Sequence, residues 1–177
     1  INRIEVYVVN TQANTQDVRN VVAFTDLGEH PDFISSNLPI SDLADNTSIF
    51  GGAALEPSTE VVPSRAPSNY NNDLFRSLTL NEGVMNFTGA NEAISGAIGG
   101  NQGLKQGVHY ERVGNARRLT ASEFTYNSRL GFISLRQSLN NAEVLAVAYE
   151  YTVDGQTYQV GTLSQDGYAA PGSLVLK

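Results

Sequence analysis

Residues 141–163 read NAEVLAVAYEYTVDGQTYQVGTL, and this stretch decides the fold. Two runs rich in Val, Tyr, Thr and Ala flank the pair Asp154-Gly155. An Asp-Gly pair between such runs favours a two-residue type I′ turn, in which both central residues need a positive φ. Counting outward from that turn predicts a hairpin in which Val153 faces Gln156, Thr152 faces Thr157, Tyr151 faces Tyr158, Glu150 faces Gln159, and Tyr149 faces Val160.

Side chains alternate across a strand, so this hairpin has two different faces. The bulky face carries Val147, Tyr149, Tyr151, Val153, Tyr158 and Val160. The small-residue face carries Ala146, Ala148, Thr152, Gly161 and Leu163. If the bulky face is the core face, truncating Tyr149 to Ala costs about 3 kcal/mol of stability.

Composition limits the class of protein. The chain has 177 residues, enough for one domain with a substantial core, and its 41% hydrophobic content is too high for disorder. The net charge of −7 argues against binding to nucleic acid or anionic lipid. Cysteine is absent, which excludes disulfides, thiolate zinc sites and cysteine nucleophiles. No apolar run approaches the length of a membrane helix.

Further segments with the composition of strands lie on both sides of a less regular middle part. Strands are expected over 1–10, 21–27, 108–113, 118–126, 131–135 and 173–177. Short helices are expected between 69 and 98, with Asn72 or Asp73 as the first cap, Asn91 as the second, and Gly99-Gly100 at the end. The fold is therefore predicted to be mainly β, an antiparallel β-sandwich-like domain with a short helical and loop insertion. The alternative is an α+β fold with one antiparallel sheet.

We treat residues 1–177 as a single domain and expect it to be a fragment of a much larger protein, because the chain opens and closes within apolar, strand-like runs. Residues 29–105 form the insertion. Its first part, 29–66, is rich in Pro, Gly, Ser and Asn and reads as a long irregular loop. Such a loop is either a contact surface or an excursion that covers one end of a sheet.

The motifs of common enzymes are not found. There is no nucleophile elbow, no HExxH pair and no paired-carboxylate signature, and the glycines near Gly96 and Gly103 lack the context of a phosphate-binding loop. His30, with Asp26, Glu29 and Asp32 nearby, is a weak candidate for a metal site. We therefore predict a protein without catalytic, cofactor-binding or metal-binding residues.

Two local features have ordinary explanations as well as functional ones. His109 is expected on a strand surface or half-buried in a hydrogen bond. The pair Arg117-Arg118 is a basic spot in an acidic protein, and it either binds neighbouring carboxylates or marks a docking site.

Several blocks of the chain resemble the SprA/Sov family of Bacteroidetes, the very large gliding-motility and outer-membrane secretion proteins of the type IX secretion system. The resemblance covers roughly residues 1–30 and 108–177. Its blocks are 3–8 (RIEVYV), 19–29 (RNVVAFTDLGE), 116–120 (ARRLT), 130–135 (LGFISL), 143–151 (EVLAVAYEY) and 158–161 (YQVG).

The resemblance implies a role without chemistry of its own. Members of the family form a giant outer-membrane β-barrel translocon, and this fragment lacks the alternating lipid-facing pattern of such strands over its whole length. It would be a domain attached to that barrel, periplasmic or surface-exposed, that does not itself insert into the membrane. Its expected partners are other parts of the same translocon and other secretion-system proteins.

A different class of function is a binding module of the cell envelope, for carbohydrate or protein. It needs an exposed aromatic platform, for which Tyr70, Tyr110 and Tyr126 are the candidates. Exposure of at least two of these rings in one plane would favour this alternative.

Overall fold

A computed structural model describes residues 1–9, 17–28, 66–71, 74–98, 104–141, 143–166 and 168–177. Its strands are β1 (Arg3–Val8), β2 (Val18–Phe24), β3 (Tyr110–Arg118), β4 (Phe124–Asn127), β5 (Phe132–Leu135), β6 (Leu145–Val153), β7 (Gln156–Val160) and β8 (Ser173–Leu176). Between β2 and β3 lie α1 (Leu74–Leu80), α2 (Glu82–Met85), a 3-10 turn (Phe87–Gly89), and α3 (Ala90–Glu92), which continues into a π-helical segment (Ala93–Ile98). The prediction of a mainly β fold with a short helical insertion is confirmed.

Six strands form one sheet in the order β7-β6-β1-β3-β2-β8, and β4 pairs with β5 in a small second sheet. All neighbours are antiparallel except β2 and β8, which are parallel. The large sheet nearly closes on itself, because Val147 of β6 and Lys177, just after β8, exchange backbone hydrogen bonds of 2.6 and 2.9 Å. The strands therefore surround an interior, as in a small barrel.

The hairpin of β6 and β7 has the predicted turn and register. Asp154 and Gly155 have φ values of 51° and 79°, as a type I′ turn requires. All five predicted cross-strand pairs, from Val153 with Gln156 to Tyr149 with Val160, are present.

The sheet is apolar on both faces. One cluster contains only strand and loop residues and fills the interior: Tyr7, Val21, Ala23, Val113, Ala116, Ala146, Ala148, Leu163, Leu174 and Leu176. The other lies outside the sheet, beneath the helices: Val22, Phe24, Leu27, Leu74, Leu78, Val84, Ala90, Ile94, Leu104, Tyr110, Val160 and Val175. Burial on both faces explains why β2 and β8 are nearly continuous apolar runs.

Both faces of the hairpin pack in the core: the small-residue face lines the interior, and the bulky face joins the outer cluster through Val160, which is 0% exposed. Ala146 and Ala148, from the small-residue face, are buried in the interior, at 3% and 0% exposure. Tyr149, from the bulky face, is only half-buried and packs at the margin of the outer cluster. Small side chains suit the interior because a barrel of few strands leaves little space there.

Some predicted boundaries were wrong for identifiable local reasons. The strand expected over 118–126 is broken, because Glu123 accepts hydrogen bonds from the backbone N–H and the hydroxyl of Thr120, at 2.8 and 2.9 Å, and holds a turn. Asn91 lies within α3 and is not a cap, whereas Asn81 caps α2 through Gly83 N–H at 2.9 Å. The predicted caps Asn72 and Asp73, the pair Gly99-Gly100 and the loop over 29–65 lie outside the described residues.

Candidate functional site

A buried carboxylate lies at one end of the barrel interior. Glu5 and Tyr7 are on the same face of β1, and the Tyr7 hydroxyl donates to Glu5 Oε2 at 3.0 Å. The loop after β7 adds two more bonds: the Ser164 N–H donates to Oε2 and the Ser164 hydroxyl to Oε1, both at 2.8 Å. Arg118, at the end of β3, reaches Oε1 at 3.5 Å. Glu5 is thus surrounded by donors from three separate parts of the chain.

The charged neighbours of Tyr7 are Glu5 and Arg118, which form an ion pair with each other. Burial is the main reason that the pKa of Tyr7 lies well above its ordinary value, and the negative charge of Glu5 adds to the effect. Tyr7 therefore stays protonated and remains a hydrogen-bond donor. Arg118 also lies 3.8 Å from Asp17, so its guanidinium bridges a buried and an exposed carboxylate.

A groove of about 680 Å³ opens above this cluster, between β1 and the hairpin of β4 and β5. The polar cluster contributes Glu5 and Arg118 to its lining. Apolar surface comes chiefly from Ile4, Leu119, Ala121, Phe124 and Tyr126. The groove is therefore lined on one side by the ion pair of Glu5 and Arg118 and on the other by apolar side chains.

The hairpin of β4 and β5 exposes an unusual amount of apolar surface. Phe124 is buried at 8% exposure and anchors the hairpin, whereas Tyr126, Leu130 and Phe132 are 44%, 73% and 49% exposed. The turn is ordered by Asn127, whose side-chain oxygen accepts from the N–H groups of Arg129 and Leu130, both at 3.0 Å. Tyr126 pairs with Ile133 and therefore lies on the opposite face of the hairpin from Phe132, which pairs with Asn127. We call Leu130 and Phe132 the hairpin patch.

The basic pair predicted from sequence is neutralised by neighbouring carboxylates. Arg117 binds Glu123 at 2.8 Å, and Arg118 binds Glu5 and Asp17. The pKa of Glu123 is lowered, first by the Thr120 backbone N–H and then by the Thr120 hydroxyl and Arg117. The two arginines thus tie β3 to β1 and to the turn before β4.

The three candidate platform tyrosines do not act as a set. Tyr110 is buried at 3% exposure and stacks on Phe24 with ring centroids 5.5 Å apart, so it cannot belong to an exposed platform. Tyr70 and Tyr126 are both exposed, but they lie on different elements: Tyr70 follows Asn69, which bonds to β7, and Tyr126 is on β4.

The histidines give no metal site within the described ranges. His109 is half-buried, and its Nδ1 accepts from the Lys105 N–H at 3.0 Å, as one of the two sequence interpretations expected. His30, Glu29 and Asp32 lie outside the described residues. Elsewhere in the described chain no three His, Cys, Asp or Glu side chains are grouped to hold a metal ion. Nor is any helix in those ranges long and apolar enough to cross a membrane.

Sequence reasoning did not identify the cluster around Glu5. Glu5 and Ser164 are separated by almost the whole chain, and neither belongs to a recognisable motif. One local signal was present: in RIEVYV, Glu5 shares a strand face with Tyr7, and an acid on an inward face must find donors.

No known family model matches the chain, and no curated protein matches its sequence.

Proposed function

We propose that this chain is a non-catalytic domain of an outer-membrane protein-translocation and gliding-motility component of the SprA/Sov type. Its role is architectural or partner-docking, within the cell envelope and associated with the outer membrane. Its partners are other parts of the same large translocon and further secretion-system proteins. The resemblance of the blocks around 116–120, 130–135 and 143–151 supports the family, and the hairpin patch supports docking.

The hairpin patch is the observation that carries the docking role. A two-stranded sheet is marginally stable alone in water, and this one presents the large apolar side chains of Leu130 and Phe132 to solvent. Exposed apolar surface of this kind, rimmed by polar residues, marks interaction sites in soluble domains. Arg129 and Ser134 supply that polar rim.

The cluster at Glu5 supports an architectural role for the same region. Its charged and polar groups are used to hold β1, β3 and the loop after β7 together. This cross-linking gives the hairpin patch a fixed base from which to contact a partner.

The test is a charge substitution in the full-length protein. In the double variant Leu130→Asp with Phe132→Asp, we expect the domain to fold, because both side chains are exposed, and cargo secretion to be lost. Ser128→Asp, in the same turn, is the matched control and should secrete normally. Normal secretion by the double variant, or by a protein lacking residues 1–177, would overturn the proposal.

A second candidate function is an envelope-surface module that binds carbohydrate. Tyr126 favours it, because this half-exposed ring lines a groove that also contains Arg3, Glu5, Gln165 and Thr120. Titration with soluble cell-surface polysaccharide, monitored by tyrosine fluorescence, tests this role. Tyr126→Ala should abolish the response, whereas Tyr70→Ala should leave it unchanged.

A further inference from the structure

The direction of the backbone groups along β6 determines which groups of β1 face the groove. Val147 exchanges hydrogen bonds with Lys177, so its N–H and C=O point towards β8. Its partner across the β1–β6 pair is Val6, whose backbone groups therefore point the opposite way, towards β3. The Leu119 N–H accordingly donates to the Val6 carbonyl oxygen at 2.8 Å.

Ile4 faces the same direction as Val6, because alternate residues of a strand direct their backbone groups to the same side. Its partner on β6 is Tyr149, which in turn pairs with Val160 of β7. The N–H and C=O of Ile4 thus point away from β6, towards the position that a longer β3 would occupy.

β3 does not extend far enough to meet Ile4. Its paired residues with β1 are only Arg118 with Tyr7 and Arg117 with Val8, followed by the single bond from Leu119. The chain then turns at 120–123 and leaves along β4. Within the described chain, no strand is paired with Ile4 on this side, and the space is the groove.

The charged side chains that line the groove sum to zero, because Arg3 and Arg118 are matched by Glu5 and Asp17. Arg3 binds Asp166 at 3.0 Å and Glu150 at 3.5 Å, and Arg118 binds Glu5 and Asp17. An anionic segment would find both guanidinium groups already paired, and a cationic segment would have to compete with them for the carboxylates; either segment would also lose its hydration. The complementary occupant is an uncharged segment.

We propose that the edge of β1 at Ile4 accepts an uncharged, extended segment of a partner protein as an added strand. The backbone of that segment would pair with the N–H and C=O of Ile4. One of its apolar side chains would pack on Leu119 and Phe124. Strand addition of this kind draws affinity from main-chain bonds and specificity from alternate side chains. The inference rests on the docking role proposed above and gives that role a ligand class.

The probe is the capped heptapeptide Ser-Thr-Val-Thr-Val-Thr-Ser, compared with the same peptide carrying Pro at its central position. Proline lacks the N–H and is excluded from paired strand interiors, so the control should bind at least about tenfold more weakly. Amide chemical shifts of the isotope-labelled 177-residue chain report the binding. We expect the first peptide to shift the Ile4 and Leu119 amides and to slow hydrogen exchange at Ile4.

Two variants locate the binding. Ala121→Trp fills the groove from an exposed position and should abolish the shifts, whereas Ser128→Trp, in the hairpin turn, should preserve them. Equal shifts with both peptides, no shift at Ile4, or protection of Ile4 by self-association without peptide would each overturn the inference.

The peptide-binding experiment and the secretion test together distinguish strand addition at Ile4 from docking at the hairpin patch. Failure of peptide binding, together with lost secretion in the Leu130→Asp, Phe132→Asp variant, removes strand addition and leaves the docking role standing. Peptide binding with normal secretion in that variant removes the docking role of the hairpin patch instead.

Discussion

Ser164 holds both oxygens of the Glu5 carboxylate, with its N–H 2.8 Å from Oε2 and its hydroxyl 2.8 Å from Oε1. The two residues come from the first strand and from the loop after β7. Because Glu5 is 9% exposed, water cannot easily replace Ser164 as a donor. The pair therefore closes one end of the barrel.

Removing this carboxylate should destabilise the fold. Glu5→Ala leaves the Tyr7 hydroxyl and the N–H and hydroxyl of Ser164 without their acceptor, and we expect a loss of roughly 2–3 kcal/mol in urea unfolding. Glu92→Ala, on the exposed side of α3, is the control and should change stability by less than about 0.5 kcal/mol. Equal effects of the two substitutions would mean that the Glu5 bonds contribute nothing net.

Tyr7 should make the protein sensitive to alkali. Its pKa is raised in the folded state, so the stabilising contribution is fully present below its ordinary pKa near 10 and is lost as the pH rises above that value. The urea concentration at which half of the protein is unfolded should therefore be lower at about pH 11 than at about pH 8. Tyr7→Phe cannot ionise and should show a smaller fall. Tyr110 and Tyr151, whose pKa values burial also raises, should contribute to the fall that remains.

The turn glycine of the β6–β7 hairpin should tolerate no side chain without cost. Gly155 has a φ of 79° with open space around it, so Gly155→Ala adds only backbone strain, about 1–2 kcal/mol of destabilisation. Gly96, in the π-helical segment, also has open space but no positive φ, so Gly96→Ala should stabilise by about 0.5–1 kcal/mol. Thermal melts of the two variants should move in opposite directions, and a shared direction would contradict the assigned turn.

Gly161 combines the same backbone strain with a crowded environment. Its φ is 78°, and an added Cβ would lie 3.1 Å from the Ala148 Cβ and 3.3 Å from the Val175 carbonyl oxygen. Gly161→Ala should therefore cost more than Gly155→Ala, roughly 2–4 kcal/mol. Ala148→Gly in the same chain should recover part of the loss, and strictly additive effects in urea unfolding would show that the two sites do not touch.

The hairpin of β6 and β7 was predictable because its turn and register depend on neighbouring residues. The closure of the sheet was not, since it requires Asn20 to pair with Ser173 and Val147 with Lys177. No local pattern encodes such distant pairs. The same closure decides which hairpin face lies inside, because it places Ala146 and Ala148 in the interior and leaves Tyr149 at the margin of the outer cluster.

The candidate site was hidden from sequence for a related reason. The groove exists because β3 ends at Arg118. The strand ends there because the Glu123 carboxylate accepts a hydrogen bond from the Thr120 N–H and stabilises a turn. Read along the chain, the residues before and after the turn look like one alternating strand. The exposure of Leu130 and Phe132 depends on where the small sheet stands relative to the barrel, which the sequence does not encode locally.

The pairing of β6 with strands on both sides has a mechanical consequence. β1 and β8 run in the same direction; β1 pairs with β6, which runs in the opposite direction, and Lys177, just after β8, exchanges two hydrogen bonds with Val147 of β6. Tension that pulls β1 and β8 apart along their axes acts at right angles to these hydrogen bonds, so all of them resist together instead of opening one after another. The domain should therefore withstand stretching between its first and last strands better than its size suggests.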